Sequence, residues 1–264
     1  MDFLLECIGF TPNMDLEHIQ EQVRQLGEPV AWRGPSGEHL KLKLAEGIEL
    51  RLDHDEGQSY TSLLPFFEER SRLRVAVNEA RKVPDSPFDA LLTGWVAPPR
   101  AGGFEPWGAP GAYLLSAWLT DARRLPRGLK AGHVLAISIA GFSLDVRYVG
   151  PNSEGSQTNF EELPNGAFIE SLGGGDSPGG CCDLSARILS IRHTRNKITG
   201  EPIEIIEVDA PERPLHLFVS PWQLKMDQLP MPRPGFRIEG TFMFTGRIAG
   251  GLPKSGKVTR RNFG

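Results

Sequence analysis

Four consecutive residues form the densest set of potential metal ligands in the sequence: Asp53, His54, Asp55 and Glu56. They end a predicted strand, and consecutive strand residues point to opposite faces, so at most two of them reach one ion. The remaining ligands would have to come from elsewhere, and no second His, Asp or Glu cluster offers them. The pattern therefore favours a solvated acidic turn, and a metal-assisted hydrolase that uses these four residues remains a minor alternative.

The basic residues near the C-terminus are a second grouping that has a chemistry. Residues 233–264 contain seven Lys or Arg and one acidic residue, Glu239, whereas the whole chain carries a net charge of −4. Positive charge along an exposed strand attracts the phosphates of single-stranded nucleic acid or an acidic protein surface. Few aromatic rings lie nearby for base stacking. The candidate binding residues are Arg237, Arg247, Lys254, Lys257, Arg260 and Arg261.

Catalytic motifs are missing from the sequence or fail on context. Residues 251–258 approach the phosphate-binding pattern GxxxxGK[ST], but Val258 replaces the hydroxyl residue and only six residues follow, too few for the required helix. There is no GxSxG or HExxH motif, the six histidines stand singly, and Cys7 lies in a predicted apolar strand as an inert thiol. We therefore expect a binding or interaction protein without catalytic residues or a cofactor.

Composition describes the molecule that positions these residues. With 264 residues, 39% hydrophobic and 23% charged, the chain suits one large or two modest globular domains. Its 30 glycines and 22 prolines exceed the usual share and indicate many turns between short strands. Three cysteines, an acidic start and apolar runs too short to span a bilayer predict a soluble cytoplasmic protein without disulfides or membrane spans.

We expect an α+β, β-rich fold whose N-terminal α/β domain covers residues 1–97. A short strand is predicted over Phe3–Phe10, followed by one clear helix that Asn13 or Asp15 caps and that Gly27 ends in a left-handed conformation. Alternating apolar residues then predict a hairpin that turns at Ala45-Glu46-Gly47. The strands predicted in this half are Leu40–Leu44, Ile48–Leu52, Leu73–Val77 and Ala90–Val96.

A Pro/Gly-rich connector over residues 98–111 leads to a C-terminal domain over residues 112–250, and a basic tail follows over residues 251–264. This domain is predicted to be a curled antiparallel β domain, an OB-like or small Greek-key barrel. Its last strand, Phe236–Ile248, carries Gly240 and Gly246 on one face, as in a strand that bends around a barrel. No internal repeat is evident. The other predicted strands are Tyr113–Thr120, Val134–Ile139 and Phe142–Val149 joined at Ala140-Gly141, Ala186–Arg192, Ile203–Val208, and Leu215–Val219 with His216 on its outer face.

Overall fold

The computed structural model describes residues 2–30, 37–57, 61–68, 72–83, 89–98, 111–125, 128–150, 166–172 and 179–250. Within these ranges the fold is β-rich, with a four-stranded antiparallel sheet and a nine-stranded mixed sheet. The prediction of a β-rich fold with few helices is therefore confirmed. The described helices include none that is long and apolar enough to cross a membrane.

The N-terminal part forms the smaller sheet and two helices. The helices are α1 (Asp2–Glu6) and α2 (Leu16–Leu26), and the strands follow the chain order β1-β2-β3-β4 across the sheet. These strands are β1 (Glu28–Pro29), β2 (Glu38–Ala45), β3 (Ile48–His54) and β4 (Ser62–Phe67).

The rest of the described chain forms the larger sheet, with one further helix. Its elements are β5 (Leu73–Lys82), β6 (Ala90–Val96), β7 (Tyr113–Leu119), a 3₁₀ turn (Ala122–Arg124), β8 (Val134–Val149), β9 (Phe168–Ser171), β10 (Cys181–Arg195), β11 (Pro202–Val208), β12 (Leu215–Val219), α3 (Pro221–Met226) and β13 (Arg237–Gly250).

The predicted helix and hairpin of the N-terminal part are confirmed. Asp15 caps α2 by accepting a hydrogen bond from the Glu17 backbone N–H at 3.0 Å. The β2–β3 turn uses Gly47 at φ +73°, a conformation that glycine adopts without strain. Gly27, however, has φ −78°, so the prediction of a left-handed helix end is wrong.

The strand predicted over Phe3–Phe10 is wrong, because the chain forms α1 and a turn there. Leu4, Leu5 and Ile8 are all buried. The helix places these side chains on one face, which packs against β4 and β8.

The hairpin predicted around Ala140-Gly141 is also wrong, because β8 runs unbroken through both residues. A Cβ on Gly141 would lie 2.8 Å from Leu217 Cδ2 and 2.9 Å from Phe244 Cε1. The glycine is therefore required for close packing across a strand and not for a turn.

Strand pairing in the larger sheet closes two five-stranded rings. The first ring joins β8 to β5, β6, β7 and β13, and the second joins β13 to β10, β11, β12 and β8. The long strands β8 and β13 belong to both rings. Two of the pairings, β12 with β8 and β13 with β7, are parallel, so the prediction of a wholly antiparallel domain is wrong.

The two rings are an internal repeat, which the sequence pattern did not reveal. In the first ring β5 pairs with β8, with Leu73 opposite Ile137 and Val75 opposite Leu135. In the second ring β10 pairs with β13 in the same relative register, with Leu184 opposite Gly240 and Ala186 opposite Ile238. Each ring also has a bulge in its first strand, after Val77 in β5 and after Ile188 in β10. Each has a positive-φ glycine, Gly132 or Gly235, whose backbone N–H donates a hydrogen bond to that strand.

Two apolar cores hold the molecule together. The first fills the rings, and the second lies between the rings and the four-stranded sheet with its helices. His216 points out of its ring yet is only 9% exposed, because Phe67 of β4 covers it at 5.5 Å between ring centroids. The smaller sheet therefore packs on the outer surface of the rings.

The expected domain boundary over residues 98–111 lies almost entirely outside the described residues, and it stays a prediction. On either side of it, β6 and β7 pair directly over seven residues. The first ring thus contains strands from both predicted domains.

Candidate functional site

Arg237 and Arg247 lie near opposite ends of β13, on the same face of the strand. The four-stranded sheet covers that face between them: Met243 is buried in the second core, and Thr245 Oγ1 donates to the Pro65 carbonyl at 3.1 Å. The structure therefore does not bring the two arginines together.

Neutral acceptors hold the Arg237 guanidinium. It donates to the Gly166 carbonyl at 2.6 Å and to Ser185 Oγ at 3.0 Å. Ser185 Oγ in turn donates to Glu239, whose other oxygen accepts from Arg147. These bonds fasten the segment before β9 to β13.

Arg247 lines a cleft of about 620 Å³ between the two sheets. Three more cationic side chains line the same cleft: Lys43 from β2, Arg72 from the residue before β5, and Arg124 from the 3₁₀ turn. The carboxylates at its walls are Glu46 and Glu68. Among the described residues that line this space, cations therefore outnumber carboxylates two to one.

Local structure explains the positions of Lys43 and Arg124. Lys43 alternates with the buried Leu42 and Leu44, so it projects from the outer face of β2. Arg124 is held by hydrogen bonds from its Nη1 to the Ile248 carbonyl at 2.7 Å and to Asp121 Oδ2 at 3.2 Å. Asp121 also accepts from the Ile248 N–H at 3.0 Å, which ties the end of β13 to the turn.

The charges of the cleft are only partly neutralised. Arg247 Nη2 contacts Glu68 Oε1, and this guanidinium holds the pKa of the Glu68 carboxyl below its ordinary value. Within the described part of the chain, no carboxylate lies within ion-pair distance of Lys43 or Arg72, and both side chains are exposed. Two cations are therefore available to an anionic ligand.

A buried arginine, Arg51, contacts the same aromatic ring as Arg247. Arg51 is 1% exposed, its guanidinium carbon lies 4.3 Å from the centre of the Phe66 ring, and its Nη1 donates to Thr120 Oγ1. Arg247 lies 5.3 Å from the centre of the same ring. Since Phe66 is itself buried, it fixes Arg247 through a cation–π contact and is not a surface for base stacking.

A smaller cavity of about 350 Å³ adjoins the cleft. Lys43, Gly47 and Glu68 line both spaces, while Lys41 and Glu49 line only the smaller one. The two cavities thus follow one another around the β2–β3 turn.

In the acidic cluster predicted from the sequence, two of the carboxylates contact the ring of a histidine from β2. His39 Nδ1 lies 3.0 Å from Asp53 Oδ1 and its Nε2 lies 3.5 Å from Asp55 Oδ1, and all three residues are buried. His54 Nδ1 lies 3.4 Å from Thr61 Oγ1, and Glu56 is exposed. The described residues contain no group of three or more His, Cys, Asp or Glu side chains that could hold a metal ion.

Of the site residues predicted from the sequence and described by the structure, Arg247 lines the cleft and Arg237 does not, and the other cations of the cleft were not predicted. The candidates Lys254, Lys257, Arg260 and Arg261 lie outside the described residues, although Ile248 and Ala249, just before them in the chain, line the cleft. The alternation around Lys43 was a usable signal for an outward lysine. For Arg72 and Arg124, which lie outside regular strands, the sequence offers no comparable signal.

No protein-family model, no curated protein and no solved structure matches this chain.

Proposed function

We propose that this protein binds a phosphate-bearing polyanion, with single-stranded nucleic acid as the ligand class, in the cleft that Arg247 lines. The observation that carries the proposal is the convergence of Lys43, Arg72, Arg124 and Arg247 on one space of about 620 Å³. The protein has a net charge of −4, which repels anions, so such a local excess of positive charge directs them to this cleft.

The chemistry of the walls favours contacts to the phosphate backbone. All the cations are Lys or Arg, which bind phosphate oxygens through charge-assisted hydrogen bonds. Among the described side chains that line the cleft there is no aromatic ring, so these residues would not read bases by stacking. We therefore expect weak sequence preference and strong dependence on salt.

An OB-type arrangement of each ring is part of the proposal. In chain order, the strands of the first ring are β5, β6, β7, β8 and β13; the first pairs with the second and the fourth, and the third pairs with the fifth. This is the strand order of an OB barrel. The second ring, taken as β10, β11, β12, β13 and β8, has the same order with β8 as its fifth strand. The usual ligand face of such barrels, on the second and third strands, is occupied here: β4 covers Phe218 of β12, and Gly180 lies against the backbone of Trp118 in β7. This leaves the cleft as the better candidate.

The repeat supplies an internal comparison. Gly141 pairs with Phe244 at the centre of the β8–β13 ladder. Three residues further along each strand, β13 carries Arg247, which pairs with Ser138, and β8 carries Leu144, which the ladder skips at a bulge. The counterpart of Arg247 by residue count is therefore apolar, so the repeat does not itself require a cation there. The positive charge is a local property of the first ring.

The direct test is fluorescence anisotropy of a labelled mixed-sequence single-stranded oligonucleotide with the full chain at about 50 and about 200 mM salt. The double substitution Lys43→Gln with Arg72→Gln is expected to weaken binding at the lower salt by about tenfold. The matched control is Arg192→Gln with Arg195→Gln, which removes the same charge from exposed positions on β10.

Three outcomes are informative. Salt-sensitive binding that only the cleft variant loses supports the proposal, and further loss on truncation after Gly250 assigns a share to Lys254, Lys257, Arg260 and Arg261. Equal loss in both double variants would mean non-specific attraction. Binding of polyglutamate but not of the oligonucleotide would favour an acidic protein surface as the ligand.

A further inference from the structure

Glu68 occupies a particular place among the residues of the cleft. It follows β4 directly, its carboxylate contacts Arg247, and it lines both the 620 Å³ cleft and the 350 Å³ cavity beside it. Its side chain is 54% exposed, whereas that of Arg247 is 22% exposed. An acidic group thus occupies the accessible side of the most enclosed cation in the cleft.

We infer that Glu68 is a built-in competitor for the ligand's phosphate, covering Arg247 in the free protein and leaving it when the ligand binds. The inference rests on the proposed function and adds a mechanism of control to the same site. It also assigns a position to the ligand: a phosphate oxygen would replace Glu68 Oε1 on the Arg247 guanidinium.

The surroundings of the two residues make the exchange feasible. The carboxylate is solvated, and ion pairs with a solvent-exposed partner contribute little to stability, so opening the contact is inexpensive. The Arg247 guanidinium keeps its contact with the Phe66 ring when Glu68 leaves, so it stays in place for the phosphate.

Displacement of Glu68 would also join the two cavities. Lys43, Gly47 and Glu68 line both of them, and the smaller one also contains Glu49 and Lys41, which pairs with Glu28. Movement of Glu68 away from Arg247 would give one longer groove whose excess of positive charge lies at the end formed by the larger cleft. An extended chain of phosphates uses such a groove better than a single phosphate does.

The cleft contains a matched control for this inference. Glu46, in the β2–β3 turn, lines the same 620 Å³ space and is exposed. Among the ion pairs of the described residues it takes part in none, and it does not touch Arg247. Removal of either carboxylate changes the charge of the cleft equally, but only one change uncovers the guanidinium.

The experiment measures oligonucleotide binding by the full chain and by the variants Glu68→Gln, Glu46→Gln, Arg247→Gln and the double variant with Glu68→Gln and Arg247→Gln. We expect Glu68→Gln to tighten binding about fivefold and Glu46→Gln to change it less than about twofold. The gain from Glu68→Gln should disappear when Arg247 is also replaced, because the two residues act through one contact.

The outcomes separate the inference from the proposed function. Equal tightening by Glu68→Gln and Glu46→Gln, or a Glu68→Gln gain that persists without Arg247, would overturn the inference while leaving the cleft as the binding site. Absence of binding by every variant at about 50 mM salt would overturn the proposed function, and the inference with it.

Discussion

Arg51 illustrates how this protein keeps a full charge inside its fold. Its guanidinium packs on Phe66, donates to Thr120 Oγ1, and has the Glu49 carboxylate 3.7 Å away. A buried charge is tolerated only where such partners replace water. Arg51 therefore couples the N-terminal sheet to the loop after β7.

Replacement of Arg51 by alanine is expected to lower the free energy of unfolding by about 3 kcal/mol, because it leaves Glu49 and Thr120 buried without this partner. Urea denaturation measures the change. Arg81, whose side chain is 59% exposed, is the control, and its replacement by alanine should cost under about 0.5 kcal/mol. Equal effects at the two positions would contradict the structural role of Arg51.

The buried thiols predict a pH dependence of stability. Burial raises the pKa of Cys7 and of Cys182 to about 12 each, against about 8.5 in an unfolded chain. Between these values the unfolded chain releases protons that the folded protein keeps. The stability associated with these two thiols is therefore fully present below about pH 8.5 and is lost as the pH rises towards 12.

We expect the urea midpoint to fall between pH 8 and pH 10, and to fall less in a variant with Cys7→Ala and Cys182→Ala. In the same pH range, the native thiols should react slowly with a disulfide reagent and all three cysteines should react after unfolding, as buried thiols do. Fast labelling of native Cys7 or Cys182 would be inconsistent with their burial.

For individual residues, the sequence predicted which side chains face outward better than it predicted which side chains lie close together. Arg247 was identified as an outward cation, and Lys43 alternates in the same way. Their convergence with Arg72 and Arg124 depends on how the two sheets pack, which no local pattern encodes. The pairing of His39 with Asp53 follows from the β2–β3 register and could have been read from the predicted hairpin.

At the level of the strands, Gly240 allows β13 to lie close to β8. Its φ is +151°, and a Cβ there would lie 2.1 Å from the Asp145 carbonyl oxygen. The ladder with β8 shifts register just after it, between Thr241 and Phe242. The prediction that a glycine marks a bend in the last strand stays a prediction, and what requires glycine here is its positive φ and the close approach of β8.

The substitution Gly240→Ala is expected to destabilise the protein by more than about 2 kcal/mol, since either the backbone or β8 must move. Thermal unfolding followed by circular dichroism measures it. Gly128 has no atom within 4 Å of an added Cβ, so Gly128→Ala should leave the melting temperature nearly unchanged. A Gly240→Ala protein as stable as the Gly128→Ala protein would show that β13 is not constrained at this point.

Periodicity identified most strands but failed where short apolar segments had more than one interpretation. The segment before α2 has too few residues for a clear period, and its burial against β4 and β8 selects the helix. Gly141 resembled a turn signal because sequence alone does not distinguish a glycine that turns the chain from one that admits a neighbour.

At the scale of the whole molecule, β8 and β13 make the two rings depend on each other. Each strand lies in both rings, and they pair from Arg237 with Val149 to Gly250 with Ala136. Unfolding of one ring therefore removes strands from the other. We expect a single cooperative transition, tested by comparing tryptophan fluorescence with far-ultraviolet circular dichroism in urea; two separated transitions would contradict the shared-strand architecture.

The repeat itself was beyond sequence reasoning for a physical reason. Equivalent positions share backbone features, such as the positive-φ glycines Gly132 and Gly235, while their side chains face different neighbours. Gly141 pairs with Phe244 at the centre of the ladder, and three residues beyond this pair the two strands carry Leu144 and Arg247. The correspondence between the two rings is therefore visible in the strand register and not in the side chains.

The role of the cleft is tested by the binding of a labelled single-stranded oligonucleotide to the full chain at low salt, with and without Lys43 and Arg72. We expect binding that weakens steeply as salt rises, and about tenfold weaker binding when both cations are replaced by glutamine. Undiminished binding by that variant, alongside an unaffected Arg192→Gln and Arg195→Gln control, would contradict the assignment of the cleft as the binding site.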